Sequence, residues 1–253
     1  WIKLEWNETS VLGDLNPRLI IKKMSSALRT NLRDEILSQR DNRLMYISQF
    51  EGITGALNYY NASSNYPELA GQQTDLFKCF LPMAWGIGNS HGVVSLVHPN
   101  SVYDDANGGT LRKLLYPKLK MHFRFENELK LFREVGNAMK FGLNVYSNVE
   151  DNEFIAIFNL FAPYTIDECF EIDNVPVEGI KDDNDNWSVR GCKDRIIHVG
   201  ADELKVFSNL FGDGKNDMET SLPIVHAQQL MSVMSCFEKQ KRTFKDIEDD
   251  VCA

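Results

Sequence analysis

The sequence predicts an α/β fold, the later half of a doubly wound sheet. Between residues 71 and 161, a helical pattern is followed by a short apolar run, a second helical pattern and three segments typical of strands. A strand–helix–strand unit followed by a hairpin is how a doubly wound sheet ends. The longest apolar runs are far shorter than the ~20 residues that span a bilayer, so no membrane segment is predicted.

The part of the chain before this block is predicted to contain a helix between two loops. Residues 1–20 look like a loop. Ser25 or Ser26 suits the N-cap of a helix that runs to Ser38, because a serine hydroxyl accepts a hydrogen bond from a free N–H group at a helix start. Residues 59–67 combine turn residues with repeated tyrosines and are predicted to be another loop.

The block itself begins with a predicted helix, a strand and a second helix. Apolar side chains recur at helical spacing in residues 75–87, and Pro82 is predicted to kink or interrupt this helix. Residues 93–97 (VVSLV) are typical of a strand covered on both faces, and Pro99 closes it because proline has no N–H group to donate. Thr110 is predicted to cap the second helix.

Alternating apolar and polar residues predict the strands that follow. These strands cover residues 118–126, 141–146 and 154–161. The rest of the chain is predicted to be a further α/β segment, with strands at 187–190 and 195–199 and helices at 202–210 and 227–239.

Positive charge is concentrated in one part of an otherwise acidic chain. The formal net charge is −9, but residues 111–145 have a net charge of +5 and residues 146–253 one of −12. Lys118, Lys120 and Arg124 lie in this basic stretch, which is predicted to face a polyanion because phosphate neutralisation is a local electrostatic effect. The alternative is a solvated helix face and an ordinary exposed strand.

Two glycine motifs suggest chemistry that their surroundings exclude. Residues 88–92 (GNSHG) match the Gly-x-Ser-x-Gly nucleophile elbow of hydrolases, and Gly86, Gly88 and Gly92 are spaced somewhat like a dinucleotide-binding loop. Both sites need a strand before the motif and a helix after it. Here a helix precedes Ser90 and the strand follows, so neither a serine hydrolase nor a dinucleotide site is predicted.

No metal site is predicted either. Residues 182–187 (DDNDNW) are similar to a calcium loop, but Trp187 stands where glycine is needed, so a hairpin turn is the better interpretation. The five histidines lack ligand spacing. The five cysteines are scattered, without a Cys-x-x-Cys pair, which indicates a reduced, cytoplasmic protein.

Four parts of the chain match motifs of one enzyme family. They are WIKLEWNE at residues 1–8, QTDLFKCF at 73–80, GVVSLVHP at 92–99, and NELKLF at 127–132 with FGLNVY at 141–146. In these parts the chain resembles the adenine-specific DNA methyltransferases of the gamma class, in the branch fused to or partnered with restriction enzymes and other phage-defence systems. By this resemblance, Trp1 is the last residue of the family's Asn-Pro-Pro-aromatic motif.

The resemblance implies a fold, a cofactor and a DNA partner. The chain would be the C-terminal half of a Rossmann-like methyltransferase sheet that uses S-adenosylmethionine and acts on double-stranded DNA. In such enzymes the target adenine is rotated out of the duplex. Trp1 would stack on the flipped base, and Phe132 would be the second stacking aromatic, with Phe141 as the alternative. Asp75 and Leu76 would lie near the adenosine of the cofactor.

The resemblance also implies an organisation in which other parts complete the enzyme. The glycine-rich cofactor loop and the Asn-Pro-Pro residues would precede Trp1, so the chain alone is expected to be inactive. Residues 1–70 would be a mainly helical insertion, residues 71–165 the C-terminal half of the methyltransferase domain, and residues 166–253 an α/β extension leading toward a target-recognition domain. A restriction endonuclease or other defence-complex subunits would be partners. The alternative is a non-enzymatic scaffold or protein-interaction module of a defence complex.

Overall fold

The predicted α/β class is confirmed. The computed structural model describes residues 4–72, 75–212 and 216–240, and in them helices accompany a mixed five-stranded sheet. The chain divides into two compact units, Trp1–Cys79 and Phe80–Ala253. None of the described helices is long and apolar enough to cross a membrane. Trp1 itself lies outside the described residues.

The first unit is built from helices around a small core. They are α1 (Glu8–Leu15), α2 (Arg18–Ile21), α3 (Ser26–Ser38) and α4 (Arg40–Asn61), followed by a single 3-10 turn at Pro67–Leu69. α3 confirms the predicted helix, and the hydroxyl of Ser25 accepts a hydrogen bond from the N–H of Leu28 at 3.4 Å. One cluster of buried residues in this unit consists of Leu12, Leu19 and Ile36.

α1 and α4 differ from the prediction for physical reasons. The predicted loop at residues 1–20 is wrong for α1, which Asn7 caps by accepting a hydrogen bond from the N–H of Ser10 at 3.0 Å. α4 contains no buried residue, and Gly52 and Gly55 in its interior lower its helix propensity. It therefore lacks the buried apolar stripe on which a sequence-based prediction of a helix depends.

The second unit contains the sheet. Its elements are α5 (Leu76–Ile87), which begins in the first unit, β1 (Val93–Pro99), α6 (Ser101–Asp104), α7 (Gly109–Leu115), β2 (Leu119–Glu126), β3 (Lys140–Ser147), β4 (Phe154–Leu160), α8 (Tyr164–Glu171), β5 (Ile197–Val199), α9 (Ala201–Phe211) and α10 (Gln228–Glu238). Single 3-10 turns occur at Tyr116–Lys118, Asn127–Leu129, Lys193–Arg195 and Asp217–Glu219. α5 continues through Pro82. The predicted cap at Thr110 is wrong, because α7 starts earlier, with Gly108 as its N-cap.

β3, the second strand of the hairpin, lies between β1 and β2, the two strands of the strand–helix–strand unit. The order is β1-β3-β2-β4-β5. β3 is antiparallel to both β1 and β2, which are therefore parallel to each other, and β2 is parallel to β4. β1 is the first strand in this order and therefore lies at the edge of the sheet. Its residues Val93 and Val97 are 67% and 45% exposed. The prediction that this strand is covered on both faces is wrong.

The strand predicted at residues 187–190 is wrong. This segment forms only an isolated bridge between Lys181 and Trp187. The carbonyl oxygen of Val189 accepts a hydrogen bond from the hydroxyl of Thr165 at 2.6 Å, so a side chain takes the place of a neighbouring strand there. β5, α9 and α10 lie close to their predicted positions.

Candidate functional site

The carboxyl ends of the parallel strands β1 and β2 meet at one edge of the sheet. Pro99 of β1 and Phe125 of β2 both lie opposite Phe141 of β3, and Phe125 also pairs with Leu160 of β4. This row of four residues is called the carboxyl edge below. In open α/β sheets, ligands bind outside the carboxyl ends of the parallel strands. The carboxyl edge is therefore the candidate ligand site of this sheet.

Two predicted site residues, Phe132 and Phe141, contact each other at the carboxyl edge. Their ring centroids are 4.8 Å apart and their planes are inclined at 80°, the edge-to-face geometry that aromatic pairs favour. Phe141 is 4% exposed and stacks on Phe125 with 5.3 Å between centroids, whereas Phe132 is 41% exposed. Phe132 thus presents ring surface to solvent, and Phe141 supports it from the core.

Asn127, directly after β2, holds the loop that carries Phe132. The side-chain amide of Asn127 is buried and donates hydrogen bonds to the carbonyl oxygens of Phe132 and Val135, both at 2.9 Å. Its own side-chain oxygen accepts a hydrogen bond from the N–H of Phe132 at 2.9 Å. One buried amide therefore fixes both backbone groups of Phe132 and orients its ring. The sequence motif includes Asn127 but does not indicate this role.

Replacing Asn127 by alanine is expected to release the Phe132 loop. The variant loses the donor to three carbonyl groups, those of Phe132, Val135 and Gly136, and the acceptor for the Phe132 N–H. A buried group left without its partner costs about 1–3 kcal/mol. Hydrogen exchange at the Phe132 amide should accelerate. In the matched variant Asn127→Asp, which keeps the acceptor, this amide should exchange more slowly than in the alanine variant. Unchanged exchange in Asn127→Ala would show that the amide does not hold the loop.

Five polar side chains from β1, α6, β2 and β3 form a buried cluster, called the polar cluster below: His98, Tyr103, His122, Asn144 and Tyr146. The Tyr103 hydroxyl and His122 Nδ1 each donate to Asn144 Oδ1 at 2.7 Å, and His98 Nε2 lies 2.8 Å from the Tyr146 hydroxyl. Burial lowers the pKa of His98 to about 4 and that of His122 to about 3, and it raises the pKa of both tyrosines. Because the cluster is closed to solvent, it supports the sheet and offers no acid or base to a ligand.

Lys118 and Lys120, predicted to bind DNA, each have an acidic neighbour. The Nζ atom of Lys118 lies 2.8 Å from a carboxylate oxygen of Glu150, and that of Lys120 lies 3.5 Å from one of Asp151. Each pair reduces the positive charge that the lysine offers to a phosphate. The DNA contacts of these two lysines stay a prediction.

The burial of Arg124 is at odds with a direct DNA contact. Arg124 is 1% exposed, and its Nη1 atom lies 2.8 Å from a carboxylate oxygen of Glu126, although their orientation does not make a hydrogen bond. Burial lowers the pKa of the guanidinium, and the charge of Glu126 acts in the opposite direction. The charge of Arg124 is thus buried in the sheet beside the carboxylate of Glu126.

The two residues predicted near the cofactor belong to the first unit. Asp75 immediately precedes α5 and Leu76 is its first residue, and both are half-buried. The carbonyl oxygen of Asp75 accepts a hydrogen bond from the N–H of Lys78 at 2.9 Å, which starts the helix. Of the predicted site residues, the structure brings together Phe132 and Phe141.

Neither a metal site nor a known relative adds to this geometry. Within the described ranges, no group of three or more His, Cys, Asp and Glu side chains is placed to hold a metal ion. Comparisons of the chain with protein-family models, with curated proteins and with solved structures found no match. The relation to methyltransferases therefore rests on the sequence motifs, and the activity is a proposal.

Proposed function

We propose that this chain is part of an S-adenosylmethionine-dependent methyltransferase that modifies the exocyclic amino group of adenine in double-stranded DNA. The observation that carries the proposal is the exposed ring of Phe132, packed on Phe141 at the carboxyl edge and held there by Asn127. Support also comes from the sheet, since the unit β1–α7–β2 followed by a hairpin is the arrangement with which a doubly wound sheet ends.

An exposed aromatic ring at this edge suits a flipped base. Inside a duplex the adenine amino group is stacked and paired, so a methyl donor reaches it only after the base rotates out. A flipped base needs a stacking partner, and base–aromatic stacking contributes about 1–3 kcal/mol per base. Phe132 would supply one stacking surface and Trp1, by the motif resemblance, the other. Holding the base between two rings fixes the direction in which its amino nitrogen attacks.

The described residues do not by themselves form the cofactor site. In the family, that site needs a glycine-rich loop between a strand and a helix, whereas Gly86 lies in the last turn of helix α5, and Gly88 and Gly92 lie between α5 and strand β1. Asp75 and Leu76 stay the proposed neighbours of the cofactor's adenosine. S-adenosylmethionine would supply the methyl group.

Methyl transfer to DNA tests the proposed function. The intact protein is incubated with radiolabelled S-adenosylmethionine and unmodified duplex DNA. We expect label in the DNA, and mass spectrometry of the digested DNA should find it in adenine methylated at the exocyclic amino group. A folded protein that leaves the DNA unlabelled, or that labels cytosine, would overturn the proposal.

We place this enzyme in the bacterial cytoplasm, in a restriction-modification or phage-defence system with a restriction endonuclease or another defence subunit as partner. The branch of the family that the motifs resemble supports this setting. Cys79, Cys169, Cys192 and Cys236 are free thiols, which agrees with a reducing compartment.

One observation favours the alternative of a non-enzymatic interaction module. Leu230, Val233 and Phe237 of α10 are 41%, 47% and 62% exposed, and their spacing places them on one side of the helix. An apolar row of this kind suits a protein contact. A scaffold transfers no methyl group, so the labelling experiment distinguishes it from the methyltransferase.

A further inference from the structure

The first unit contains a run of sequence that is rich in exposed basic residues. Between Asp14 and Asp34 the sequence has five basic residues and no acidic one. Four of them are exposed on α2, on the connection to α3 and on the first turns of α3; these four, Arg18, Lys22, Lys23 and Arg29, are called the basic segment. The net charge of the whole chain hides this feature, because acidic residues on either side of the segment cancel it.

The charges of the basic segment are not neutralised within the described part of the chain. No carboxylate there lies within ion-pair distance of Arg18, Lys22, Lys23 or Arg29. Arg29 donates a hydrogen bond to the hydroxyl of Thr9 at 3.4 Å, which leaves its charge intact. This distinguishes the basic segment from the paired lysines of the second unit.

A small cavity beside Arg29 includes residues that suit a phosphate group. Its volume is about 160 Å³, and its lining includes the polar residues Thr9, Ser26, Arg29 and Thr30 as well as the apolar residues Leu12 and Leu19. Small-molecule pockets measure about 300–1,000 Å³, so this cavity suits a phosphate and not a whole nucleotide. Arginine, serine and threonine side chains are the usual donors to DNA phosphates.

One carboxylate, that of Glu8, also lines this cavity, but it is already occupied by other groups. Glu8 Oε1 accepts hydrogen bonds from Nε of Arg33 at 2.9 Å and from the hydroxyl of Tyr46 at 2.6 Å. Its negative charge is therefore compensated by Arg33, and Arg29 determines the charge that a ligand meets.

We propose that the basic segment binds the sugar–phosphate backbone of duplex DNA. The proposal rests on the proposed function and adds to it a DNA-contacting surface separate from the base-binding residues. Exposed Ile20 and Ile21 would also suit an anionic membrane, but α2 has only four residues, too few for an amphipathic helix in a membrane interface. The cavity beside Arg29 favours DNA, and phosphate contacts of this kind hold the duplex without reading its sequence.

The salt dependence of DNA binding tests the proposal. The intact protein and its variant Arg18→Gln, Lys22→Gln, Lys23→Gln, Arg29→Gln are titrated onto a fluorescein-labelled duplex at several NaCl concentrations. The slope of log K against log [salt] is negative, and each lost phosphate contact makes it less negative by about 0.9. The slope of the four-residue variant should therefore be less negative by up to about 3.6, and this variant should bind at least about tenfold more weakly at low salt. The control Arg190→Gln, Lys193→Gln, Lys205→Gln, Lys239→Gln changes the net charge equally at exposed positions outside residues 111–145 and should keep the wild-type slope.

The outcomes separate this surface from the proposed function. If the wild-type protein binds the duplex and the basic-segment variant has the same slope, the surface is overturned while DNA binding stands. An equal change of the salt slope in the control variant would also overturn the proposed surface, because the change would then result from the lower net charge alone. A wild-type protein that binds vesicles of phosphatidylserine and phosphatidylcholine through this segment, but not DNA, would overturn both proposals. Circular dichroism of each variant verifies that it is folded.

Discussion

Phe132→Ala is expected to slow methyl transfer to adenine by roughly 5- to 150-fold while leaving the protein folded. Stacking of a base on an aromatic ring contributes about 1–3 kcal/mol, and about 1.4 kcal/mol corresponds to a tenfold change in rate. The expected cost to the fold is smaller, because Phe132 is 41% exposed, although the variant loses the edge-to-face contact with Phe141. The measurement is kcat/KM of the intact protein at matched folded fractions.

The same loop offers a control for the Phe132 prediction. Leu131 precedes Phe132 and is 39% exposed, so Leu131→Ala removes a similar apolar side chain without removing a ring. We expect its rate to stay near that of the wild type, and Phe132→Tyr should retain most activity because it keeps a stacking face. An unchanged rate in Phe132→Ala, or an equal loss in Leu131→Ala, would exclude Phe132 from the base pocket. Phe141→Ala is a poor test, because truncating a buried phenylalanine costs about 3–5 kcal/mol.

Local patterns predicted the second unit well because its strands carry their own signals. β2 alternates apolar and polar residues, and the β-branched run of β1 is too short for a helix. The order of the strands, in contrast, depends on pairing between distant parts of the chain. β1 and β3 pair over residues far apart in the chain, from Val93 with Ser147 to Pro99 with Phe141. Whether an apolar strand is central or at an edge depends on that pairing, which no local pattern of β1 contains.

The candidate site, too, could be predicted from the sequence only in part. Sequence motifs nominated Phe132 and Phe141, and the structure brings their rings together. The role of Asn127 depends on the path of a loop that returns past its amide, which a sequence does not specify. Charge compensation also depends on residues far apart in the chain. Lys118 is paired with Glu150, whereas Arg29 donates a hydrogen bond to the neutral hydroxyl of Thr9 and has no carboxylate within ion-pair distance among the described residues. Counting charges along the sequence therefore does not show which basic residues have an acidic neighbour in the fold.

Acidification is expected to unfold the second unit because of the polar cluster. His98 and His122 are buried and neutral, with pKa values lowered by burial to about 4 and about 3 from an ordinary value of 6.5. Asn144 partly opposes this shift at His122, while His98 and Arg124 add to it. His122 Nε2 is buried without a hydrogen-bond partner among the described residues, so no acceptor there would compensate a proton on it.

The sign of the pH dependence follows from these two pKa values. The unfolded chain binds protons near pH 6.5 and the folded chain only near pH 4 and below, so stability is complete above pH 6.5 and is lost as the pH falls toward 4. Each unit of depressed pKa corresponds to about 1.4 kcal/mol, so the two histidines together account for several kcal/mol. That is comparable with the whole free energy of unfolding of a domain, about 5–15 kcal/mol. The midpoint of urea unfolding should therefore fall steeply through this range.

Substitutions that keep one polar atom of each ring separate this effect from simple loss of packing. His98→Gln retains a partner for Tyr146, and His122→Asn retains a donor to Asn144. The double variant is expected to be less stable near neutral pH, since it leaves small cavities, but its stability should change much less between about pH 7 and about pH 5. His198→Gln replaces an exposed histidine and should keep the wild-type pH dependence. If the double variant lost stability with acid as steeply as the wild type, the carboxylates, and not the polar cluster, would set the acid limit of this fold.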